Sequence, residues 1–213
     1  MPYSHTIVTP QQAHIAIWHL DESLDELMAI WNSPAYPSSF YNATSEKRRR
    51  EILATALLMR QHFGRDITLD HAANGAPLIE EGFISISHTA THVVIATHSS
   101  RAIGVDIETI GTKAVRVMER FLSPEEISEL PCEQHTLPCG TSYRCAAIHM
   151  AWSIKESIYK IHPQAVEFRR DIILSPITTL PDGVTKAWLS KENNIVEAHY
   201  TLYDGCSLAW ALR

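Results

Sequence analysis

The order of elements constrains this chain most. A long stretch of helical apolar spacing followed by short strand candidates occurs once in each half. In the first half, Glu46 to Phe63 carries Ile52, Leu53, Ala56, Leu57 and Met59 at helical spacing, behind a cap at Thr44 or Ser45. In the second, Cys145 to His162 reads as a helix ended by Pro163. His14 to Leu20 is a strand candidate with apolar residues on both faces, so it should be well covered. Asp21 or Ser23 can cap a helix through Leu24, Leu27, Met28 and Trp31. Phe83 to His88, Val93 to Thr97 and Ala102 to Glu108 read as strands, and Ser123-Pro124-Glu125-Glu126 as a helix start. Val184 to Leu189 and Glu197 to Tyr203 can pair, with Ser207 to Leu212 as a last strand. Ser33 to Tyr41 (with Pro34 and Pro37), residues 66 to 82 (with Asn74-Gly75) and Pro131 to Tyr143 read as irregular. The expected class is α+β, in two halves, 1–110 and 111–213, without a residue-level repeat.

Composition narrows the function. A chain of 213 residues with a hydrophobic fraction of 45% can bury a core without staples. A formal net charge of -6 argues against a dedicated nucleic-acid binder. The one basic run, Lys47-Arg48-Arg49-Arg50, lacks the interleaved aromatics of a single-strand binder. It is either a solvated helix face or a site for phosphate groups of a ligand. With neither a leader pattern nor an apolar run long enough to span a bilayer, a cytoplasmic protein without membrane contact is expected. Its four cysteines should then be free thiols. Cys132, His135, Cys139, Cys145 and His149 are zinc-ligand types, but they lack the close pairs of a structural zinc site.

Three segments carry possible chemistry. In Gly104-Val105-Asp106-Ile107-Glu108, strand alternation puts both carboxylates on one face and Val105 and Ile107 on the other. Paired carboxylates repel, and a hard divalent cation relieves that cost; a solvated strand face can carry the same pattern. In Trp152 to Lys160 (WSIKESIYK), Trp152, Glu156 and Lys160 share one helix face while Ile154, Ile158 and Ile161 line the opposite one. Lys155 and Tyr159 flank the polar stripe, which a solvated Glu-to-Lys pair would also explain. The third segment is Ser87-His88-Thr89 at the end of an apolar strand; an ionised His88 can hold a phosphate.

The two acid-bearing motifs, about fifty residues apart, together resemble the paired signature of the 4'-phosphopantetheinyl transferase superfamily. Chain length, the Ile86-Ser87-His88-Thr89 segment and Phe121-Leu122-Ser123-Pro124-Glu125-Glu126 are similar to its larger, surfactin-synthetase-activating type. That resemblance implies a pseudo-dimer of two similar α+β halves with the active site at their interface. It implies Mg²⁺-dependent transfer of 4'-phosphopantetheine from coenzyme A to a serine of an apo acyl or peptidyl carrier protein. Adenosine 3',5'-bisphosphate is released, and a monomer is expected. By the same resemblance, Asp106, Glu108 and Glu156 match the metal-binding acids, with Glu156 and Lys160 in catalysis. Ser87, His88, Lys155, Lys160 and the run Lys47, Arg48, Arg49, Arg50 match positions that contact coenzyme A. The sequence departs from the family pattern at Ala76, where Gly-Lys-Pro is common, and at Ala56, where related chains often carry arginine; both thin the basic pocket.

Overall fold

The computed structural model describes residues 4–33, 35–132, 135–138, 140–162 and 167–213. Pro34, Cys139 and Pro163, expected in a loop, as a thiol and at a helix end, lie outside the described residues. The chain forms two compact units, Met1–Ser100 and Arg101–Arg213.

The first unit runs β1 (Ser4–Val8), β2 (His14–His19), α1 (Leu24–Trp31), α2 (Ser38–Asn42), α3 (Glu46–Phe63), β3 (Asp70–His71), β4 (Pro77–Leu78), β5 (Phe83–His88) and β6 (His92–His98). Its antiparallel sheet has the order β1-β2-β6-β5, with β3 and β4 as a separate small pair. The helix ends follow from the side chains expected to cap them. Ser23 and Glu26 form a reciprocal capping box on α1, and the Ser45 hydroxyl accepts from the Arg48 N–H at the start of α3. One face of α3 buries Leu53, Ala54, Leu57 and Leu58 in a core shared with Trp18, Leu27, Val93 and Ile95.

Two stretches expected to be irregular contain regular structure. α2 lies within the proline-flanked segment because Phe40 has an apolar site to fill. It is buried and stacks on Tyr36 with ring centroids 4.4 Å apart. The short β3–β4 pair is closed by the Asn74-Gly75 turn, in which Gly75 takes φ 84°.

The second unit runs β7 (Ile103–Thr109), α4 (Lys113–Val117), a 3₁₀ turn (Met118–Arg120), α5 (Pro124–Ser128), α6 (Tyr143–Lys160), α7 (Phe168–Asp171), β8 (Ile172–Leu174), β9 (Asp182–Leu189), β10 (Asn194–Tyr203) and β11 (Cys206–Leu212). The sheet order is β7-β11-β10-β9-β8, antiparallel throughout. Ile148, Ala151, Ile154 and Ile158 of α6 bury against Ala187, Leu189, Ala198, Ala209 and Ala211 of the sheet. β7 pairs with β11, so the second unit begins before β7, whereas the sequence boundary fell after it. Considered separately, the units share a plan. In each, a strand is followed by helices and then a hairpin, and the hairpin's last strand lies beside that first strand (β6 beside β2, β11 beside β7). The class is mixed α+β. Among the described residues no helix is long and apolar enough to cross a membrane.

One glycine sets the spacing between β7 and α6. A Cβ placed on Gly104 would stand 1.8 Å from the carbonyl oxygen of Ser157. Only a residue without a side chain lets the strand backbone approach the helix backbone this closely. Two further ties hold the helix on the sheet. The Ser153 and Ser207 hydroxyls bond at 2.8 Å, and Lys160 Nζ donates to Val105 O at 2.8 Å. Gly104→Ala is therefore expected to destabilise the protein by about 3 kcal/mol or more, because a helix backbone cannot yield as a side-chain tip can. Urea denaturation of the variant against wild type measures this; a loss below about 1 kcal/mol would show that the strand and helix part readily.

Candidate active site

In the second unit the two acid-bearing motifs meet across the Gly104–Ser157 approach. On β7, Val105 and Ile107 are almost wholly buried, while Asp106 and Glu108 lie on the other face with Ala209, which packs in the α6-covered core. On α6, Trp152, Glu156 and Lys160 recur as a partly exposed stripe among buried neighbours, as their spacing predicts. Lys160 Nζ reaches Asp106 Oδ1 at 3.0 Å. The Trp152 side chain hydrogen-bonds Glu108, and Lys113 at the start of α4 adds positive charge near that carboxylate.

The three acids act on one another. Burial raises the Glu108 pKa most, the charge on Asp106 raises it further, and Trp152, Lys113 and Lys160 oppose the shift. Burial also raises the Glu156 pKa most, with Asp106 adding to the shift, Lys160 opposing it and Glu108 contributing least. An all-oxygen set of three mutually repelling, partly desolvated carboxylates suits a hard divalent cation, which removes the repulsion and takes oxygen donors.

Lys155 differs from its expected position. Instead of flanking the polar stripe it is fully buried, and its ammonium donates to Phe121 O at 2.8 Å, Glu126 at 2.8 Å and Phe168 O at 3.0 Å. Glu126 also closes the α5 capping box with Ser123 and accepts from the Leu174 N–H at 2.8 Å. Burial lowers the Lys155 pKa, and Glu126 raises it in opposition. The lysine stem is long enough to turn inward, and three acceptors compensate its desolvation. Lys155 is accordingly a structural cation of the second unit.

Of the residues matched to coenzyme A at the sequence level, Lys155 and Lys160 lie on α6 of the second unit, and Ser87, His88 and the run Lys47 to Arg50 lie in the first. His88 ends β5, and its Nε2 is 3.1 Å from Arg48 Nη1, on the first turn of α3. Glu51, which no sequence motif singled out, lies behind them. It is buried, with Lys47 Nζ at 3.8 Å, Arg48 Nη1 at 3.1 Å and His88 Nδ1 at 3.4 Å. Lys47, Arg48 and His88 thus come together. Arg49 and Arg50 are committed to backbone carbonyls instead. Arg49 Nε donates to Ala43 O at 3.1 Å with its guanidinium over the Phe40 ring, and Arg50 Nε donates to Glu22 O at 2.9 Å. Ser87 is buried one residue inside the end of β5. Ala56 packs at the edge of the first core, and Ala76 follows the β3–β4 turn, donating its N–H to Asn74 Oδ1 at 3.1 Å.

His149, one of the zinc-ligand types noted above, has both ring nitrogens in use. Nδ1 lies 2.9 Å from Cys145 O and Nε2 accepts from the Gly111 N–H at 3.1 Å. Burial lowers its pKa, so the imidazole is a neutral structural group carrying its proton on Nδ1.

Residues 102–208, half of the chain, match the family model of the 4'-phosphopantetheinyl transferase superfamily, so the chain belongs to that superfamily. Members transfer phosphopantetheine from coenzyme A to carrier proteins, which makes this chain a transferase of that class. No match to a curated protein was found.

The raised carboxyl pKa values predict a measurable sign. A carboxyl group with a folded pKa above its unfolded one favours folding at low pH, and that contribution is lost as pH rises through the folded value. In EDTA, Glu156→Gln should therefore melt a few degrees above wild type at pH 8, with the difference closing toward pH 5. Scanning calorimetry of both proteins at the two pH values tests this. A variant less stable than wild type at pH 8 would mean that the acids do not repel in the folded state.

Proposed function

We propose that the chain is a Mg²⁺-dependent 4'-phosphopantetheinyl transferase of the larger, surfactin-synthetase-activating type, acting on a serine of an apo acyl or peptidyl carrier protein. The observation that carries this reading is the coupling of Asp106, Glu108 and Glu156 with one another and with Lys160, inside the segment that matches the superfamily. The shared strand–helices–hairpin plan of the two units supports the larger type, which has two similar halves. A monomer in the cytoplasm belongs to the same proposal.

Asp106, Glu108 and Glu156 would hold Mg²⁺, which supplies charge neutralisation at the pyrophosphate of coenzyme A. Glu156 serves as the base. It acts directly or through a water that it orients, because a serine hydroxyl needs its proton removed to attack. The serine oxygen forms the new phosphoester bond to the pantetheine-bearing phosphorus. The pyrophosphate P–O bond breaks, and adenosine 3',5'-bisphosphate leaves with the electron pair. Lys160, anchored on Val105 O and Asp106, presents a fixed positive charge to the phosphates. In the first unit, Lys47, Arg48 and His88 form the phosphate-binding group, with Ser87 at the end of the same strand. Lys155 has no part in binding, because its ammonium is enclosed by three protein acceptors.

Mass spectrometry of an apo carrier protein incubated with the enzyme, coenzyme A and Mg²⁺ should show the gain of one phosphopantetheine group. EDTA should abolish it. Asp106→Ala and Glu156→Gln should each slow transfer by about 10³-fold or more, since each removes charge stabilisation that acts in the transition state. Absence of transfer to acyl and peptidyl carriers alike would refute the proposal, and binding of coenzyme A without transfer would reduce the chain to a binding module.

A further inference from the structure

Glu51 is an acid within the most basic stretch of an acidic chain, and it is the point on which that stretch converges. Its side chain is only 6% exposed, whereas those of Lys47, Arg48 and His88, which contact it, are 71%, 53% and 35% exposed. The three cationic or ionisable groups therefore face solvent with the carboxylate behind them. A ligand entering from solvent meets the Lys47 and Arg48 donors first, and His88 steadies the Arg48 guanidinium by accepting from it.

The contacts also specify a proton. Arg48 Nη1 has no lone pair to offer, so at 3.1 Å from His88 Nε2 the guanidinium donates and the imidazole accepts. The neutral ring then carries its proton on Nδ1, the nitrogen that faces Glu51 Oε1. A single carboxylate thus receives Arg48 on Oε2 and both Lys47 and His88 on Oε1. Lys47 and Arg48 lie on the first turn of α3 while His88 ends β5, so Glu51 links groups from two elements that share no local geometry. Carboxylate support behind a histidine is the usual way in which a ring's tautomer and angle are fixed.

We propose that Glu51 is the positioning residue of the phosphate-binding group. It holds Lys47, Arg48 and His88 in one preorganised arrangement for a phosphate of coenzyme A, without touching the ligand itself. The inference rests on the proposed function, since it takes the transferase substrate as the ligand. A purely structural Glu51 would tie α3 to β5 and nothing more, and the two roles give different kinetics. Wild type, Glu51→Gln, His88→Ala and the double variant are compared for KM for coenzyme A, kcat and melting temperature. Glu51→Gln is nearly isosteric but removes the charge. It is expected to raise KM by about 10-fold with kcat within about 3-fold, the pattern of lost ligand binding. Because Glu51 acts in part through His88, the double variant's KM should fall short of the product of the two single effects. Should Glu51→Gln fail to fold, Glu51→Asp keeps the buried charge but withdraws it by one methylene, and it too should raise KM. An unchanged KM, or multiplicative effects in the double variant, would overturn the inference while leaving the transferase reading intact. A wild-type protein that neither binds coenzyme A nor transfers its arm would overturn both.

Discussion

The closest constraint in the second unit is the seat of β7 on α6, where Gly104 faces the Ser157 carbonyl at a separation that admits no side chain. The position of everything polar on that face follows from it. Asp106 is two residues along the strand from Gly104, and Glu156 precedes Ser157 on the helix. Fixing the glycine against the serine carbonyl therefore fixes the two acids relative to each other. Lys160, one helical turn beyond Glu156, then reaches both the backbone and the side chain of the strand residues beside Gly104. A longer strand-to-helix distance would leave each of these charges to water, where the mutual effects on Glu108 and Glu156 would fade.

The same helix uses two lysines in opposite ways. Lys160 shares the exposed stripe with the acids, whereas Lys155 is buried among the carbonyls of Phe121 and Phe168 and the carboxylate of Glu126. A buried ion pair is weak evidence of net stability but a strong determinant of arrangement, because breaking it leaves an unpaired charge in the interior. Here the pair gathers the residues before α5, α5 itself, α6 and the start of α7 around one ammonium, and Glu126 serves at once as helix cap and counter-ion. The Phe121 to Glu126 stretch, noted in the sequence only as a family likeness, owes part of its role to this arrangement. It supplies a cap to α5 and a carbonyl and a carboxylate to a lysine that lies next to Glu156 in sequence and on a different side of the helix.

Much of this was legible in the sequence where periodicity and capping act together. Glu46–Phe63 was expected with its bounds behind a cap at Thr44 or Ser45, because a long run keeps helical spacing, and Ser45 is the residue that caps it. The alternation in β7 put both carboxylates on one face, but it did not show that this face, shared with Ala209, is the one α6 covers. Lys155 was misplaced because a helix wheel gives the direction of a Cβ, and a four-carbon stem can leave that direction when acceptors wait elsewhere. Glu51 was invisible for a related reason. Within a run of Lys and Arg it reads as charge balance, and only the arrival of His88 from forty residues away makes it a hub. α2 and β8 were too short to show a period, and tertiary contacts decide such elements.

The repulsion among Asp106, Glu108 and Glu156 marks where local stability and chemistry diverge. A chain selected for stability alone would place an amide or an apolar residue at one of these positions, because two half-buried acids with raised pKa values work against the folded state at neutral pH. Their retention in the midst of a well-tied strand and helix is economical only if another charge completes the set. Lys160 does so in part, holding Asp106 while also lowering the Glu108 and Glu156 pKa values. The remaining excess of negative charge is held in place by the Gly104 approach and the Ser153–Ser207 bond, and the cation proposed above would offset it. Preorganisation and strain are here one arrangement. The packing that keeps these repelling acids together also holds the strand and helix that carry them in place.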